Sequence, residues 1–547
     1  MPRVGRGLSR LIYGSPLYSL ALRGRPPTDL RLAFTDPWPG DPELGARIVF
    51  GTFRLGGREF RGGAAAWADE ALTEEALFAL HGCCWLRDLR ALGGDAARRQ
   101  ARTMIAAWIE RFGRWHAATW RLDVLGCRLA NWLSAYDFFI ASAEDDFRER
   151  LFASLTAQVR HLARALPGGC RGLDLVLAVK GLLMGCMALP ETPARLAAAM
   201  QHLEKLLSWQ VLADGGHVQR NPSIQVEVLC HLIDLRNAMQ AAHTADAGLP
   251  EPPQSLLGAV DRMAAALRFF RHGDGGLALF NGASEGDPTR INAVLAQAGA
   301  AGRPIKSARY CGFERIVAGR TVVLMDVGAP PPAGDDRATH AGPLAFELSA
   351  GRQRLIVNCG SPANLEDQAG GWAEALRGTA AHSTMMLDGA NAIPLAEGGG
   401  TAVEGVTVTA SRFEEDGSVL VDASHDGYRP RLGLVHRRQL YVSAAGDDIR
   451  GEDMVMGLGK TPSFAIRFHL HPSVKAAVIQ AGSAALLRPP TGAGWRFRCT
   501  NGTLGLEESV YVANSQGRRR SQQLVISGAR IQPGDVIKWA LTRERRV

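Results

Sequence analysis

The hydrophobic rhythm of this chain changes once, near Lys306. From Trp67 to about Ala301, apolar residues recur every three or four positions. ARTMIAAWIERF, RLANWLSAYDFFIAS, RERLFASLTAQVRHLARAL and LDLVLAVKGLLMGCMAL are examples. That spacing gathers them on one helix face, with short breaks between helices. No strict repeat is visible in the series, but this many antiparallel amphipathic helices predict paired helices stacked into a ring or solenoid. Beyond Lys306 short β-rich runs take over, among them RTVVLMDVG, LAFELS, RLIVNC, SVLVDAS, FAIRFHLH and QLVISG. Gly, Asp and Pro punctuate them, as in an antiparallel sandwich. The predicted fold is multidomain, α then β. Residues 1–64 form a mixed N-terminal segment, 65–303 the helical domain and 304–547 the β-sandwich. Ala46 to Phe60 reads as a small hairpin around Gly56 and Gly57. Pro330 to Gly342 reads as a long polar loop, and Met385 to Leu387 as a short strand entered by His382.

Composition is that of a globular protein with a large core. The formal net charge is +8, carried mostly by arginine, whose planar fork suits carboxylates and sulfates. Long basic tracts and zinc-finger or helix-turn-helix signatures are lacking, so nucleic acid is not the expected partner. The nine cysteines are scattered, without a CxxC pair. That pattern fits buried thiols in a reduced protein. No run is apolar and long enough to span a membrane. The N-terminus carries Arg3, Arg6 and Arg10 before LIYGSPLYSLAL. It is interrupted by Gly14, Ser15 and Pro16, which makes it a poor signal peptide and a better amphipathic segment.

Four groups of residues carry candidate chemistry. In DGGHVQRNPSIQ, Asn221 before Pro222 suits a helix N-cap. The same turn gathers Asp214, His217, Gln219 and Arg220, where a carboxylate can land. Trp115 and Trp120 lie in a connecting segment where a solvent-facing ring is plausible. With Arg128 and Asn131 they suit sugar faces and acidic groups. FNGASEGDPTR, from Phe280 to Arg290, is a loop offering Asn281, Glu285 and Asp287. The β-domain adds His340, His382, Asp388, Asp422, His425, Asp426, His469 and His471. A strand-borne imidazole can move protons near neutral pH, and the HLH pair suits zinc if a carboxylate joins it.

Together, HGCCWLRDLRAL, WRLDVLGCRLANW, DGGHVQRNPS, HAGPLAFELSAGRQRLIVNCG and HSTMMLDGAN resemble the heparinase II/III family of polysaccharide lyases, over about residues 75–510. The resemblance implies an incomplete α/α toroid followed by an antiparallel β-sandwich with a superhelical sheet. It also implies β-elimination at a uronic acid, with an acidic polysaccharide or oligosaccharide as partner. Asn221 matches the family's carboxylate-binding position, and His382 the histidine of its H-[SN]-T motif. His217, Arg220, Trp115, Trp120, Arg128, Asn131 and His340 are expected to bind substrate. The resemblance departs at the family tyrosine. DGGLALFNG contains none, and Tyr310 is the nearest downstream, with Tyr428 farther on. Tyr310 is therefore taken as the candidate third catalytic group. No cofactor is expected. Some members hold a structural zinc, but Thr384 replaces the second His of their H-x-H pair. The alternatives are a non-catalytic glycan-binding or envelope-assembly protein on the same scaffold, and an α/α-toroid glycoside hydrolase whose paired carboxylates would come from Asp214, Glu285 and Asp287. The resemblance points to the periplasm or cell envelope, while the weak leader and free thiols point to the cytoplasm.

Overall fold

Apolar side chains at helical spacing, closed by caps, build most of the first half of the computed structural model. The structure describes residues 11–544, except 25, 56–57, 62–66, 68–71, 191–192, 300–301, 303, 366–370, 403–404 and 515. Two short helices come first, α1 (Pro16–Leu22) and α2 (Pro42–Val49). Asp41 accepts from the backbone N–H of Glu43 and Leu44 and Pro42 opens the helix, so Ala46–Val49 are helical rather than part of a hairpin. Strands β1 (Thr52–Leu55) and β2 (Arg58–Arg61) do pair antiparallel. The expected turn, Gly56 and Gly57, lies outside the described residues.

The helical series continues with α3 (Glu74–His81), α4 (Leu86–Leu92), α5 (Gly94–Phe112), α6 (Leu122–Ser134), α7 (Tyr136–Ile140), α8 (Asp145–Ala165) and α9 (Gly172–Ala188). Next come α10 (Pro193–Gln210), α11 (Pro222–Ala245), α12 (Gln254–Phe269) and α13 (Pro288–Ala298). Helices α6 and α9 cross at two glycines. A Cβ on Gly126 would stand 2.3 Å from the Leu177 carbonyl, and one on Gly181 2.4 Å from the Gly126 carbonyl. Only glycine permits that approach.

The sheets follow. One runs β14 (Lys475–Ile479), β15 (Ala484–Arg488), β16 (Trp495–Cys499), β19 (Val536–Arg543), β12 (Asp448–Gly457), β11 (Leu434–Val442), β10 (Ser418–His425), β9 (Val408–Glu415). The other runs β17 (Thr503–Tyr511), β18 (Arg519–Gly528), β13 (Phe464–Leu470), β7 (Gln353–Val357), β6 (Phe346–Ala350), β5 (Thr321–Asp326), β4 (Phe313–Ala318), β3 (Ser307–Ala308). The short strand β8 (Met385–Leu387) pairs with β13. Ladders are antiparallel, and one apolar core joins the facing sides. Within it Trp539 stacks on Phe346 with ring centroids 5.4 Å apart.

By contacts the chain divides into two compact units. One is Met1–Trp209 with Cys230–Val260, and the other is Gln210–Leu229 with Asp261–Val547. The change from helix to strand falls between α13 and β3. The second unit also takes in two helical-region stretches, the turn around Asn221 and the stretch from Asp261 to Ala298.

Candidate functional site

Two copies of one loop supply the amides of the site. Asp214-Gly215-Gly216 and Asp274-Gly275-Gly276 each form a tight turn, with the aspartate accepting from the second glycine's N–H at 3.0 and 2.9 Å. Each turn closes a small antiparallel bridge, Val211 with His217 and Arg271 with Leu277. Each ends seven residues on at an asparagine, Asn221 or Asn281. The two ends clasp each other. Asn221 Nδ2 donates to the Asn281 carbonyl at 2.7 Å, and Asn281 Nδ2 donates to the Arg220 carbonyl at 3.1 Å. Asn221 Oδ1 caps α11 by accepting from Ser223 and Ile224. Each amide nitrogen carries a second hydrogen, which bonds no described residue. The repeat D-G-G-x-x-x-x-N, with its asparagines 60 positions apart, is the sequence signal that singles out Asn281, a residue the family motifs leave unmarked.

Asn281 leads to the histidines. Its Oδ1 accepts from the His340 backbone N–H at 3.3 Å. His340 Nδ1 lies 3.1 Å from His382 Nε2, and His382 Nδ1 lies 2.8 Å from the Gly378 carbonyl. A carbonyl only accepts, so His382 carries its proton on Nδ1 and offers a bare Nε2. His340 must then donate from Nδ1, which leaves its Nε2 as the free lone pair. Gly282 has φ +77°, and a Cβ there would lie 3.0 Å from that nitrogen and 3.7 Å from Ser361 Oγ. Glycine thus leaves room over His340 Nε2. Burial is the main cause that holds both imidazoles neutral. It brings His382 down to about 4. His340 falls well below the usual range, helped by His382 and by the nearby Arg377.

The backbone around this pair is laced together. The Thr379 hydroxyl donates to Ala341 O, the Ala341 N–H to Arg377 O, and the Thr384 hydroxyl to Pro343 O. From the opposite sheet Arg438 donates to both Leu344 O and Ser383 O at 2.9 Å. Asp453 holds Arg438 and also accepts from His436 and the Trp539 indole.

Other candidates are placed elsewhere. Arg220, at φ +55°, spends its guanidinium on Cys311 O, Ala329 O, Gly312 O and Asp326. His217 is buried with its ring bonded to Gln210 and the Gln219 N–H. The Tyr310 side chain is 70% exposed, its backbone N–H held by Asp214. None of its hydrogen bonds joins it to Asn221 or His382. In the first unit, Trp120 is buried, not solvent-facing, and its indole donates to Phe112 O. Trp115 is half-buried against Tyr13. Arg128 lies buried over Trp108 and donates to Gln158, His81 O and Thr119 O. Asn131 holds Gly82 O beside Cys84 and Cys127.

His469 and His471 do not share a ligand. His469 bonds Ser509 and Ala380 O, whereas His471 bonds Ser473 and faces Glu285. Among the described residues no group of three or more His, Cys, Asp or Glu is placed to hold a metal ion. The hydrolase carboxylates are occupied too. Asp214 binds backbone amides, Asp287 caps α13, and Glu285 bonds Tyr511 beside Arg354.

The helical part and the twin sheets are those of a heparinase-type fold, an α/α toroid with a β-sandwich, and the chain belongs to the heparinase II/III-like family. The model of the heparinase II/III-like C-terminal domain matches residues 300–540. FtsZ-localized protein C of Caulobacter vibrioides is 34% identical, over 97% of this chain and 93% of its own. Among solved structures, heparinase III superposes with a TM-score of 0.74 at 13% identity, covering 99% of this chain and 92% of its own. A mutant of heparan sulfate lyase HepC from Pedobacter heparinus superposes with a TM-score of 0.67 at 15% identity, covering 92% and 83%. Within the described residues no helix is long and apolar enough to cross a membrane.

Proposed function

We propose that the chain is a lyase that cleaves a uronate-containing polysaccharide by β-elimination, with His340 as the proton acceptor and His382 as the group that orients it. The observation that carries this reading is the tautomer chain from Gly378 O through His382 to His340, which leaves one bare nitrogen over Gly282. The free amide hydrogens of Asn221 and Asn281 are the donors we assign to the substrate carboxylate. Binding there delocalises charge from C5 as its proton leaves. His340 Nε2 takes that proton, the C4–O bond breaks as the C4–C5 double bond forms, and the imidazolium returns the proton to the leaving oxygen. The partner charge of a bound carboxylate raises His340 toward the range where it works as a base. One group doing both proton transfers removes the need for the family tyrosine.

The second reading is a non-catalytic glycan-binding or envelope-assembly protein. Two observations favour it: Tyr310 is not joined to the histidine pair, and the Caulobacter relative is named for localisation with FtsZ. Incubation with heparan, chondroitin and other glucuronate polymers separates the two. A lyase produces an ultraviolet-absorbing unsaturated uronate, whereas a binder retains the polymer without producing it.

A further inference from the structure

The first unit holds a thiol pair that the elimination chemistry does not use. Helix α3 ends in a left-handed turn. Cys83 has φ +57°, its N–H bonds Leu80 O, and the Cys84 N–H reaches back to Ala79 O. That double closure is a Schellman turn, which usually places glycine where Cys83 stands. It sets Cys84 against α6, with the Cys84 and Cys127 sulfurs 3.8 Å apart. Gly82 leaves room for them, since a Cβ there would stand 3.2 Å from Cys127 Sγ. Asn131 follows Cys127 by one turn on the same helix face. Its Nδ2 donates one hydrogen to Gly82 O at 2.8 Å. The other faces both sulfurs, Cys127 at 3.4 Å and Cys84 at 3.9 Å.

Cys127 is buried, whereas Cys84 is partly exposed. Asn131 and Arg87 line a pocket together with Lys180 and Asp234. Ion pairs fix both cations there, Lys180 with Asp234 at 2.5 Å and Arg87 with Asp36 at 2.6 Å. The bond from the Cys127 thiol is the largest cause that holds Cys84 below the ordinary thiol value, and Arg87 and Lys180 add to it against burial. Burial pushes Cys83, Cys170, Cys186 and Cys359 the other way, up to about 12. The thiolate is the form that meets oxidants, and a second thiol in contact resolves the product.

We propose that Cys84 and Cys127 form a peroxide-responsive dithiol, with Cys84 as the attacking sulfur and Cys127 as the resolving one. The Cys84 thiolate attacks one oxygen of a hydroperoxide, and the O–O bond breaks. The sulfur becomes a sulfenic acid, and the other oxygen leaves with a proton as water or an alcohol. The Cys127 sulfur then attacks the sulfenic sulfur. Its S–H proton departs with the hydroxyl as water while the S–S bond forms. The two thiols lose two electrons, and the peroxide gains them. The product ties the turn after α3 to α6, 43 positions away in the sequence, and a dithiol reductant reverses it.

The test is treatment of the reduced, folded full chain with stoichiometric hydrogen peroxide, then blocking of free thiols and peptide mass mapping without reduction. The expected result is loss of two thiols and a peptide joining Cys84 to Cys127, with circular dichroism unchanged. Dithiothreitol should reverse both changes. In Cys127→Ser the reaction should stop at a sulfenic acid on Cys84, trapped by dimedone. In Cys84→Ser, Cys127 should stay reduced. The wild-type map needs neither variant to fold. A folded wild-type chain that keeps both thiols, or a bridge through another cysteine, would overturn the proposal. So would sulfinic acid on Cys84 with Cys127 still free.

Discussion

His340 Nδ1 donates to His382 Nε2 across 3.1 Å, and this bond joins two segments that lie 42 positions apart in the sequence. Both rings are buried and neutral. Replacing His340 with Ala should cost between about a hundredfold and ten-thousandfold in elimination rate, the usual worth of a positioned proton acceptor. His382→Ala should lower the rate as well, with imidazole NMR of His340 reporting the lost partner. Full activity in either variant would remove the pair from the chemistry.

Gly282→Ala tests the space over His340. The new methyl would stand 3.0 Å from Nε2 in a left-handed backbone. The conformation itself should cost roughly 1–2 kcal/mol of stability, measured by denaturant unfolding. Glycan turnover should fall much further than that, because the methyl occupies the path to the lone pair.

Asn221→Asp keeps the cap of α11 while removing the amide that clasps the Asn281 carbonyl and is assigned to the substrate. An aspartate keeps the oxygen that caps α11 but brings a negative charge where a carboxylate is assigned. Polymer retention on an affinity column should drop sharply while helicity by circular dichroism stays unchanged. Asn221→Ala should in addition lose about 1 kcal/mol from the cap.

The strut between the sheets has its own signature. Asp453 accepts from Arg438, His436 and Trp539 with no exposure to water. Asp453→Ala strands a buried cation and should cost about 3–5 kcal/mol, read as a fall in Tm. The same change should broaden the His382 imidazole signal, because Arg438 holds Ser383 O.

Acid should unfold the protein through its buried imidazoles. Burial first and foremost holds His217 and His469 at about 3 and His382 at about 4, against an ordinary 6.5. The unfolded chain takes up those protons near pH 6.5 and the folded chain resists them, so stability is full above that pH. It is lost as pH falls from there toward 4. Each group then costs about 1.4 kcal/mol for every pH unit below the value at which its unfolded form takes up the proton. Unfolding titrations at pH 7, 6, 5 and 4 should show a falling midpoint. A midpoint independent of pH would contradict the neutral assignments.

Much of this is legible in the sequence, and the reasons differ by residue. The helix and strand periods locate α5, α8, β5 and β8 because their apolar residues recur at the spacing of a helix or a strand. The pairing of Asn221 with His382 comes from family motifs, and the structure links them through Asn281 and His340. Arg128 and His217 read as binding groups because nothing in a sequence says which side chains a buried helix or turn consumes. Helix α6 is buried almost all round, so Arg128 has to satisfy its donors inside. Asn281 reads in the sequence as one polar residue of a loop, and the D-G-G-x-x-x-x-N motif that pairs it with Asn221 is too short to register as a repeat.

The most direct measurement is ultraviolet absorbance of uronate polymers incubated with the wild-type chain and with His340→Ala. If His340 is the proton acceptor, absorbance rises with the wild type and not with the variant, while polymer retention by the variant stays intact. No rise with the wild type across the polymer panel, or an equal rise with the variant, would contradict that role.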